Sequence, residues 1–298
     1  MEKIIAIDDK RYPELLRKIG KEAPKKLYYK GEWPSGAAED KDNIFDNCLA
    51  VVGSRRLTSY GRKITEQLVS EIAAAGVTIV SGFMYGGDEA AHKAAVAAGG
   101  RTIAVMPCGI DVIHPEYQEE LYNKILENKG LIISEYEGDF PPASWTYVRR
   151  NRIVAGLSKA VLIVEAGLKS GTMITAELSK KFKRKIFVVP GPITSEVSKG
   201  TAQLLKEGAA VATEAKDILK YYNISFSGTN PAKKAKPSSE KIASLEQKII
   251  EQLKIEPLEM DALARILKVS ISDLGSRLSL MQIKGFVSQE GNKYYTDR

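Results

Sequence analysis

Short runs of apolar residues, each rich in Val and Ile, recur through about the first 190 residues of this chain, and segments with apolar residues at helical spacing separate them. The predicted strands are Leu49–Gly53, Val77–Ser81, Thr102–Met106, Leu131–Ser134, Ala160–Val164 and Ile186–Val189, and the predicted helices are Gly61–Ala75, Glu89–Ala98, Glu116–Asn128 and Thr172–Lys183. Strands that alternate with helices form a parallel sheet covered on both faces. The pattern therefore predicts an α/β fold with a doubly wound, mostly parallel sheet.

Three further segments complete the predicted domain organisation. Residues 1–45 are polar, and we expect an N-terminal extension packed on the core domain at 46–224. Residues 225–239 contain Gly, Pro and three Lys, which is typical of a linker. Residues 240–298 carry two amphipathic segments, a third predicted helix that Ser270 or Ser272 could cap, and then two short strands around a turn at Gly291. Three helices followed by a hairpin indicate a small winged-helix domain.

Composition argues against several classes of protein. Cys48 and Cys108 have no metal-ligand spacing, and only two histidines, His92 and His114, are present. We therefore expect no metal site and no disulfide framework. Cysteine usage of this kind is typical of a reducing compartment, and we expect a cytoplasmic protein. The N-terminal residues show no long apolar core followed by a cleavage site, so we expect no signal peptide. No run of about 20 uncharged apolar residues is present, so we expect no membrane partner.

Positive charge is concentrated in one segment. The whole chain carries +7, whereas the stretch from Trp145 to Lys185 carries ten Lys and Arg against two Glu, a local charge of +8. It contains Arg149-Arg150-Asn151-Arg152 and the turn Lys169-Ser170-Gly171-Thr172, which begins a predicted helix. Fixed cations beside a helix N-terminus attract phosphates. The aromatic residues just before the arginines, Phe140, Trp145 and Tyr147, could stack a nucleic-acid base or could seal the core.

Two more loops follow predicted strands and are rich in Gly, Ser and Arg. In the first, Gly53 lets the chain turn, Ser54 and the nearby amides can face an anion, and Arg55 offers a bidentate guanidinium. Ser81 and Gly82 begin the second loop. No loop matches G-x-G-x-x-G or G-x-x-x-x-G-K-S/T, so we expect no nucleotide cofactor. The carboxyl ends of parallel strands share one sheet edge, which predicts a line of phosphate contacts.

The order and spacing of the motifs over about 200 residues resemble the DNA-processing protein A family, also called Smf. The matching motifs include Y-P-E-L-L at 12–16, A-V-V-G-S-R-R-L-T-S-Y-G at 50–61, A-A-H at 90–92, R-N-R-I-V-A-G-L-S at 150–158 and S-G-T-M-I-T-A at 170–176. The resemblance implies an extended Rossmann-like fold that binds single-stranded DNA, forms a homodimer and loads the RecA recombinase onto that DNA in natural transformation. The tail is similar to the winged-helix domain that many members carry.

The resemblance also implies which residues contact DNA. The loop after the first strand would hold phosphates, the arginine cluster would line a groove, and the turn before the last predicted helix would close it. The predicted DNA-binding residues are Gly53, Ser54, Arg55, Ser81, Gly82, Arg149, Arg150, Asn151, Arg152, Lys169, Ser170, Gly171 and Thr172. We expect no catalytic residue and no bound metal.

A nucleotide phosphoribohydrolase of the related lysine decarboxylase-like Rossmann family is the alternative. Those enzymes carry a motif similar to P-G-G-x-G-T-x-x-E at the equivalent turn, and its Glu acts in N-glycosidic cleavage. Here Thr175 stands where that Glu would be, and Glu177 lies two residues later on a different helix face. The spacing of Glu135, Glu165 and Glu177 assigns no catalytic pair. We therefore expect a protein without enzymatic activity.

A third hypothesis is a transcription factor whose tail reads duplex DNA. Residues 240–298 carry nine basic and nine acidic residues, so their net charge is zero. A helix that enters a DNA groove is normally basic, yet Ile271–Lys284 offers only Arg277 and Lys284 against Asp273. We expect the winged-helix domain to contact a protein or to assist DNA binding weakly.

Overall fold

The computed structural model describes residues 3–35, 43–225 and 244–296. The chain forms two compact units, one before and one after the gap at 226–243. The predicted linker at 225–239 lies outside the described residues except for Ser225, so the domain boundaries stay a prediction. Within the described ranges, every helix is too short or too polar to cross a membrane.

The larger unit is built on a sheet of nine strands. They are β1 (Ile4–Ala6), β2 (Lys26–Gly31), β3 (Cys48–Val52), β4 (Thr78–Ser81), β5 (Thr102–Val105), β6 (Leu131–Ser134), β7 (Ala160–Ile163), β8 (Lys185–Val188) and β9 (Ala210–Val211). Their spatial order is β1-β2-β6-β5-β4-β3-β7-β8-β9. The seven strands from β6 to β9 are parallel, and β2 and β1 extend the β6 edge in antiparallel pairing. The mostly parallel sheet is thus confirmed.

The six predicted strands are all present, and the structure adds β1, β2 and β9. The first two belong to the segment that was expected to be an extension packed on the core. Instead this segment continues the sheet, with Tyr28 paired with Ser134 and Gly31 with Leu131. In β2 the apolar residues Leu27, Tyr28 and Tyr29 lie between lysines, which gives no continuous apolar run. Strands of two or three residues, such as β9 and β1, are too short to produce a periodic signal.

Helices cover both faces of the sheet. They are α1 (Glu14–Arg17), α2 (Ser59–Ala74), α3 (Gly87–Ala97), α4 (Glu119–Glu127), α5 (Ser144–Leu157), α6 (Gly171–Lys181), α7 (Lys199–Lys206) and α8 (Ala215–Leu219). Alternate residues of β3 face opposite sides: Ala50 and Val52 pack in one cluster with α1, α5, α6 and α7, and Leu49 and Val51 in another with α2, α3 and α8. A third cluster contains α4. Buried parallel strands of this kind have two apolar faces.

The strand order reverses at the centre of the sheet. From β3 the chain builds β4, β5 and β6 toward one edge, and it then returns along α5 to place β7 on the other side of β3. The loops after β3 and β7 therefore leave the sheet in different directions and open a crevice between them. In doubly wound sheets ligands bind in this crevice.

The smaller unit has the predicted winged-helix arrangement. Its elements are α9 (Ser244–Ile255), β10 (Leu258–Glu259), α10 (Met260–Leu267), α11 (Ile271–Ile283), β11 (Val287–Glu290) and β12 (Lys293–Thr296). The strands form one antiparallel sheet in the order β10-β12-β11. Of the two serines considered as caps, Ser270 begins α11, because its Oγ accepts the N–H of Asp273 at 3.1 Å. The side chains of all three helices share one apolar core.

Candidate functional site

A cavity of about 570 Å³, hereafter the first cavity, lies in the crevice where the strand order reverses. The loops after β3 and β4, the helix α5 and the first turn of α6 form its walls. Nine of the thirteen predicted DNA-binding residues line it: Gly53, Ser54, Arg55, Gly82, Arg150, Asn151, Ser170, Gly171 and Thr172. Loops that are far apart in the sequence thus meet in one place.

The loop after β3 turns through a close approach of two glycine backbones. A Cβ on Gly87 would lie 2.6 Å from the Cα of Gly53, so Gly87 has no room for a side chain without movement of the backbone. The Ser54 carbonyl accepts the N–H of Gly87 at 3.1 Å, and the Ser54 N–H donates to the Glu165 carbonyl at 2.8 Å. The Ser54 amide is therefore used by the fold, and the expectation that Ser54 and its neighbouring amides face an anion stays a prediction for the other groups. Ser54 lines the cavity, and its Oγ accepts the N–H of Arg56 at 3.0 Å.

Arg55 presents its charge at the mouth of the first cavity. The guanidinium lies 5.6 Å from the ring centre of Tyr85 and 5.2 Å from that of Tyr147. The Tyr147 hydroxyl is in turn hydrogen bonded to Nε2 of His114 at 2.7 Å, which holds the ring in place. In the described part of the chain no carboxylate forms an ion pair with Arg55. Aromatic faces hold an arginine by cation–π attraction without neutralising it, so it remains available to an anion.

Arg150 lies beneath the first cavity and is only 4% exposed. Its Nη1 donates to the carbonyls of Gly82 and Val105. Burial lowers the pKa of Arg150, and the negative charge of the neighbouring Asp88 partly opposes this shift. Burial raises the pKa of Asp88, and the positive charge of Arg150 partly opposes that shift. A Cβ at Gly82 would lie 2.5 Å from Oδ2 of Asp88. Gly82 thus makes room for this pair, which supports the floor of the cavity.

The helix α6 begins at the opposite wall. Ser170 is its N-cap residue, yet the Ser170 Oγ is buried and has no hydrogen-bond partner among the residues that the structure describes. Gly171 is exposed and has open space around it, and Asn151 Nδ2 donates to its carbonyl at 3.5 Å. The first N–H groups of a helix lack intrahelical acceptors and favour anions. This wall can therefore accept a phosphate opposite Arg55.

Four of the predicted residues do not line the first cavity, and their role in DNA binding stays a prediction. Ser81 is buried, and its Oγ donates to the Val51 carbonyl at 2.6 Å, so it joins β4 to β3. Lys169 is exposed outside the cavity. Arg149 and Arg152, three residues apart on α5, share the face of the helix opposite Arg150 and line a second cavity of about 750 Å³. The 3.6-residue period of a helix makes this separation unavoidable.

The three candidate carboxylates have structural partners. Glu165 is buried and accepts the N–H of Thr58 at 2.9 Å and its hydroxyl at 2.5 Å, beside the start of α2. Glu135 accepts bonds from Arg149 and Arg152, and Glu177 pairs with Lys180 at 2.7 Å. Thr175 lines the first cavity. No carboxylate of these three is thus placed in the cavity to act on a bound nucleotide.

The histidines, acids and cysteines of the described ranges form no group that could hold a metal ion. His92 is fully buried, and its Nδ1 lies 2.7 Å from Oγ1 of Thr102. Burial lowers the pKa of His92 to about 3. Both cysteines are unbridged and buried.

The aromatic residues before the arginines are not part of the core. Trp145 is 52% exposed and Phe140 is 37% exposed. Phe140 stacks on Tyr136 at 4.8 Å, and Trp145 packs edge-on against both rings. Whether these rings stack DNA bases stays a prediction. Tyr136 and Tyr85 were not among the predicted site residues, and the only sequence signal for Tyr85 is its position in the glycine-rich loop after β4.

Two family models match the chain. The model of DNA recombination-mediator protein A matches residues 3–223, and the DprA winged helix domain matches residues 232–293. Protein Smf of Escherichia coli is 43% identical over 178 residues, which are 60% of this chain and 47% of that protein. The chain thus spans about half the length of this relative.

Two solved structures are also similar. That of DNA processing protein A from Streptococcus pneumoniae has a TM-score of 0.67 at 35% identity and covers 76% of this chain and 75% of that one. That of DNA processing protein A from Helicobacter pylori, reported for its single-stranded DNA binding mode, has a TM-score of 0.63 at 32% identity and covers 75% of this chain and 98% of that one. With the match over residues 3–223, these similarities show that the chain belongs to the DNA recombination-mediator protein A family.

Proposed function

We propose that this chain is a cytoplasmic single-stranded DNA-binding recombination mediator. It protects incoming DNA and loads RecA onto it during natural transformation, acts as a homodimer, and catalyses no reaction. The relative from Helicobacter pylori, whose structure was reported for its single-stranded DNA binding mode, supports the choice of ligand. The first cavity supports the choice of site.

The observation that carries the proposal is the unbalanced positive charge of the first cavity. Arg55, Arg56 and Arg150 line it against the single carboxylate of Asp88, a net charge of +2. Arg55 is held by two tyrosine rings instead of by an acid. Cationic side chains on one wall and a helix N-terminus on the other can hold the phosphates of one strand.

Aromatic side chains favour a single strand over a duplex. Tyr85, which is 43% exposed, lies against Arg55 at the edge of the first cavity. An unpaired base can stack on an exposed ring, whereas the bases of a duplex are already stacked on each other. Binding of this kind has little sequence preference and falls steeply with salt.

The test is the affinity of the full chain for a fluorescent oligo(dT), measured by anisotropy over a range of salt concentrations. We expect Arg55→Ala to weaken binding by about 1–3 kcal/mol and to reduce the slope of log K against log salt by about 0.7, because one phosphate contact is lost. Arg62→Ala, an exposed arginine that lines neither cavity, is the charge-matched control. Equal affinity for duplex and single strands, or equal behaviour of the two variants, would contradict the proposal.

The remaining parts of the proposal need separate assays. Light scattering should give twice the mass of one chain. On single strands coated with a single-strand-binding protein, the chain should shorten the lag of RecA filament formation. A monomeric mass or an unchanged lag would remove the dimer or the loading step, respectively, while leaving DNA binding intact.

A further inference from the structure

The second cavity lies beside the first and is also basic. Val148 and Ile174 line both cavities, so the two cavities adjoin at these side chains. The charged residues that line the second cavity are Lys21, Lys25, Lys26, Arg149 and Arg152 against Glu22 and Glu135, a net charge of +3. Lys21 and Lys25 are exposed and form no ion pair within the described part of the chain. The cavity therefore favours an anion.

Two residues that line this cavity each carry a buried donor without an acceptor among the residues that the structure describes. Arg152 is 7% exposed, and its Nη2 donates to both oxygens of Glu135 at 2.6 Å. Its other terminal nitrogen, Nη1, is buried and has no partner among the described residues. The same holds for the hydroxyl of Tyr136. An unsatisfied buried donor is costly, and two of them on one basic cavity indicate an acceptor that binds from outside.

The chemistry of the two donors favours a phosphate. Burial raises the pKa of Tyr136, so its hydroxyl carries a proton at neutral pH and can donate it. A phosphate diester offers two charged oxygens that can accept from different directions, and arginine is the side chain best suited to them. The exposed rings of Phe140 and Trp145, which pack on Tyr136, lie where bases next to such a phosphate could stack.

We propose that the second cavity is a further subsite for single-stranded DNA, continuous with the first. One phosphate of the strand that leaves the first cavity over Val148 and Ile174 accepts hydrogen bonds from Arg152 Nη1 and the Tyr136 hydroxyl. Lys21 and Lys25 supply long-range attraction, and Phe140 and Trp145 stack the neighbouring bases. This inference rests on the proposed function, and it adds a path for the strand around α5.

The experiment compares oligo(dT) strands of about 4 to about 16 nucleotides on the full chain. The affinity of the wild type should rise in one step at the strand length that is enough to reach the second cavity. Tyr136→Phe removes the hydroxyl but keeps the ring. We expect it to lower the affinity for long strands about tenfold and to leave the affinity for the shortest strands unchanged. Lys21→Ala with Lys25→Ala should reduce the salt slope for long strands by about 1.4.

Controls separate this inference from the proposed function. Lys206→Ala with Lys220→Ala removes the same charge from exposed positions that line neither cavity, and it should leave the step intact. An unchanged step in Tyr136→Phe, or equal weakening at all lengths, would overturn the second subsite while leaving the first. A third outcome is that affinity shows no step with strand length and that the wild type, but not Tyr136→Phe, binds free dTMP. The second cavity would then be a mononucleotide site, and the proposed strand path would also be overturned. If wild type binds no single strand of any length, both proposals fail.

Discussion

Arg150 and Arg152 belong to one helix and are both buried, yet their neighbours give them different chemistry. Arg150 donates from Nη1 to two backbone carbonyls, whereas Arg152 donates to Glu135 from Nη2 and keeps Nη1 without a partner in the described ranges. A buried guanidinium needs acceptors for its donors. Arg150 therefore mainly supports the loops above it, and Arg152 retains the capacity to bind a ligand.

The buried imidazole of His92 makes stability depend on pH. Its pKa in the folded protein is about 3, below the usual 6.5, so the unfolded chain binds a proton that the folded chain does not. The contribution of neutral His92 to the free energy of unfolding is fully present above about pH 6.5. It is lost as the pH falls toward 3, by about 1.4 kcal/mol per pH unit. In urea unfolding, the free energy of unfolding of His92→Asn should fall less at acid pH than that of the wild type. The Asn amide can still donate to Thr102 Oγ1. Parallel pH curves for wild type and variant would contradict this origin.

The contact between Gly53 and Gly87 gives a test of how tightly the first cavity is built. An Ala at Gly87 would place its Cβ 2.6 Å from the Cα of Gly53, and backbone atoms cannot move aside as a flexible side chain can. We expect Gly87→Ala to lower the free energy of unfolding by about 1–3 kcal/mol. Gly171→Ala, in the same cavity but in open space, should change it by less than about 0.5 kcal/mol. Equal unfolding curves would show that the loops can separate at little cost.

The helix α5 shows how one element serves two sites. Arg150 and Asn151 line the first cavity, while Arg149 and Arg152 line the second. The arginines that give the helix this role also interrupt its apolar pattern, because buried positions that would normally be apolar carry charge. For this reason periodicity in the sequence did not predict a helix here, although the same residues stood out as a basic cluster.

The start of α2 depends on a carboxylate from the far side of the crevice. The Thr58 hydroxyl accepts the N–H of Gly61 at 3.1 Å and donates to Glu165, which follows β7. Thr58→Ala removes both bonds and should lower the free energy of unfolding by about 1–2 kcal/mol. Thr58→Ser keeps the hydroxyl and serves as the matched control. If thermal unfolding gives the same result for both variants, the hydroxyl does not hold the helix.

At the scale of the molecule, the two compact units have different charge. The larger unit carries both basic cavities, whereas residues 240–298 have no net charge. We therefore expect deletion of residues 228–298 to preserve most of the affinity for single strands. Anisotropy of the truncated and full chains on the same oligo(dT) checks this. A loss comparable to that of Arg55→Ala would assign DNA binding to the winged-helix domain as well.

Local patterns predicted the elements well. The apolar runs of β3 to β8 are continuous and flanked by turn residues, and the Ser270 cap and the hairpin at Gly291 depend on neighbours in the chain. The antiparallel strands β1 and β2 were not predicted, because β1 has only three residues and the apolar residues of β2 lie between lysines. They form by pairing, β2 with β6 and β1 with β2. Most predicted DNA-binding residues meet in the first cavity because loops after parallel strands share one sheet edge.

By itself the sequence determined the six strands from β3 to β8, the winged-helix tail and the concentration of basic residues near α5, since each depends on composition or on neighbours a few residues away. Tertiary structure alone decided what each polar residue contacts. Glu165 caps a helix more than 100 residues earlier in the chain, Ser81 bonds to β3, and Glu135 holds Arg152 so that one nitrogen stays without a partner in the described structure. Such partners are set by the packing of distant segments, and a buried polar group is defined by what surrounds it.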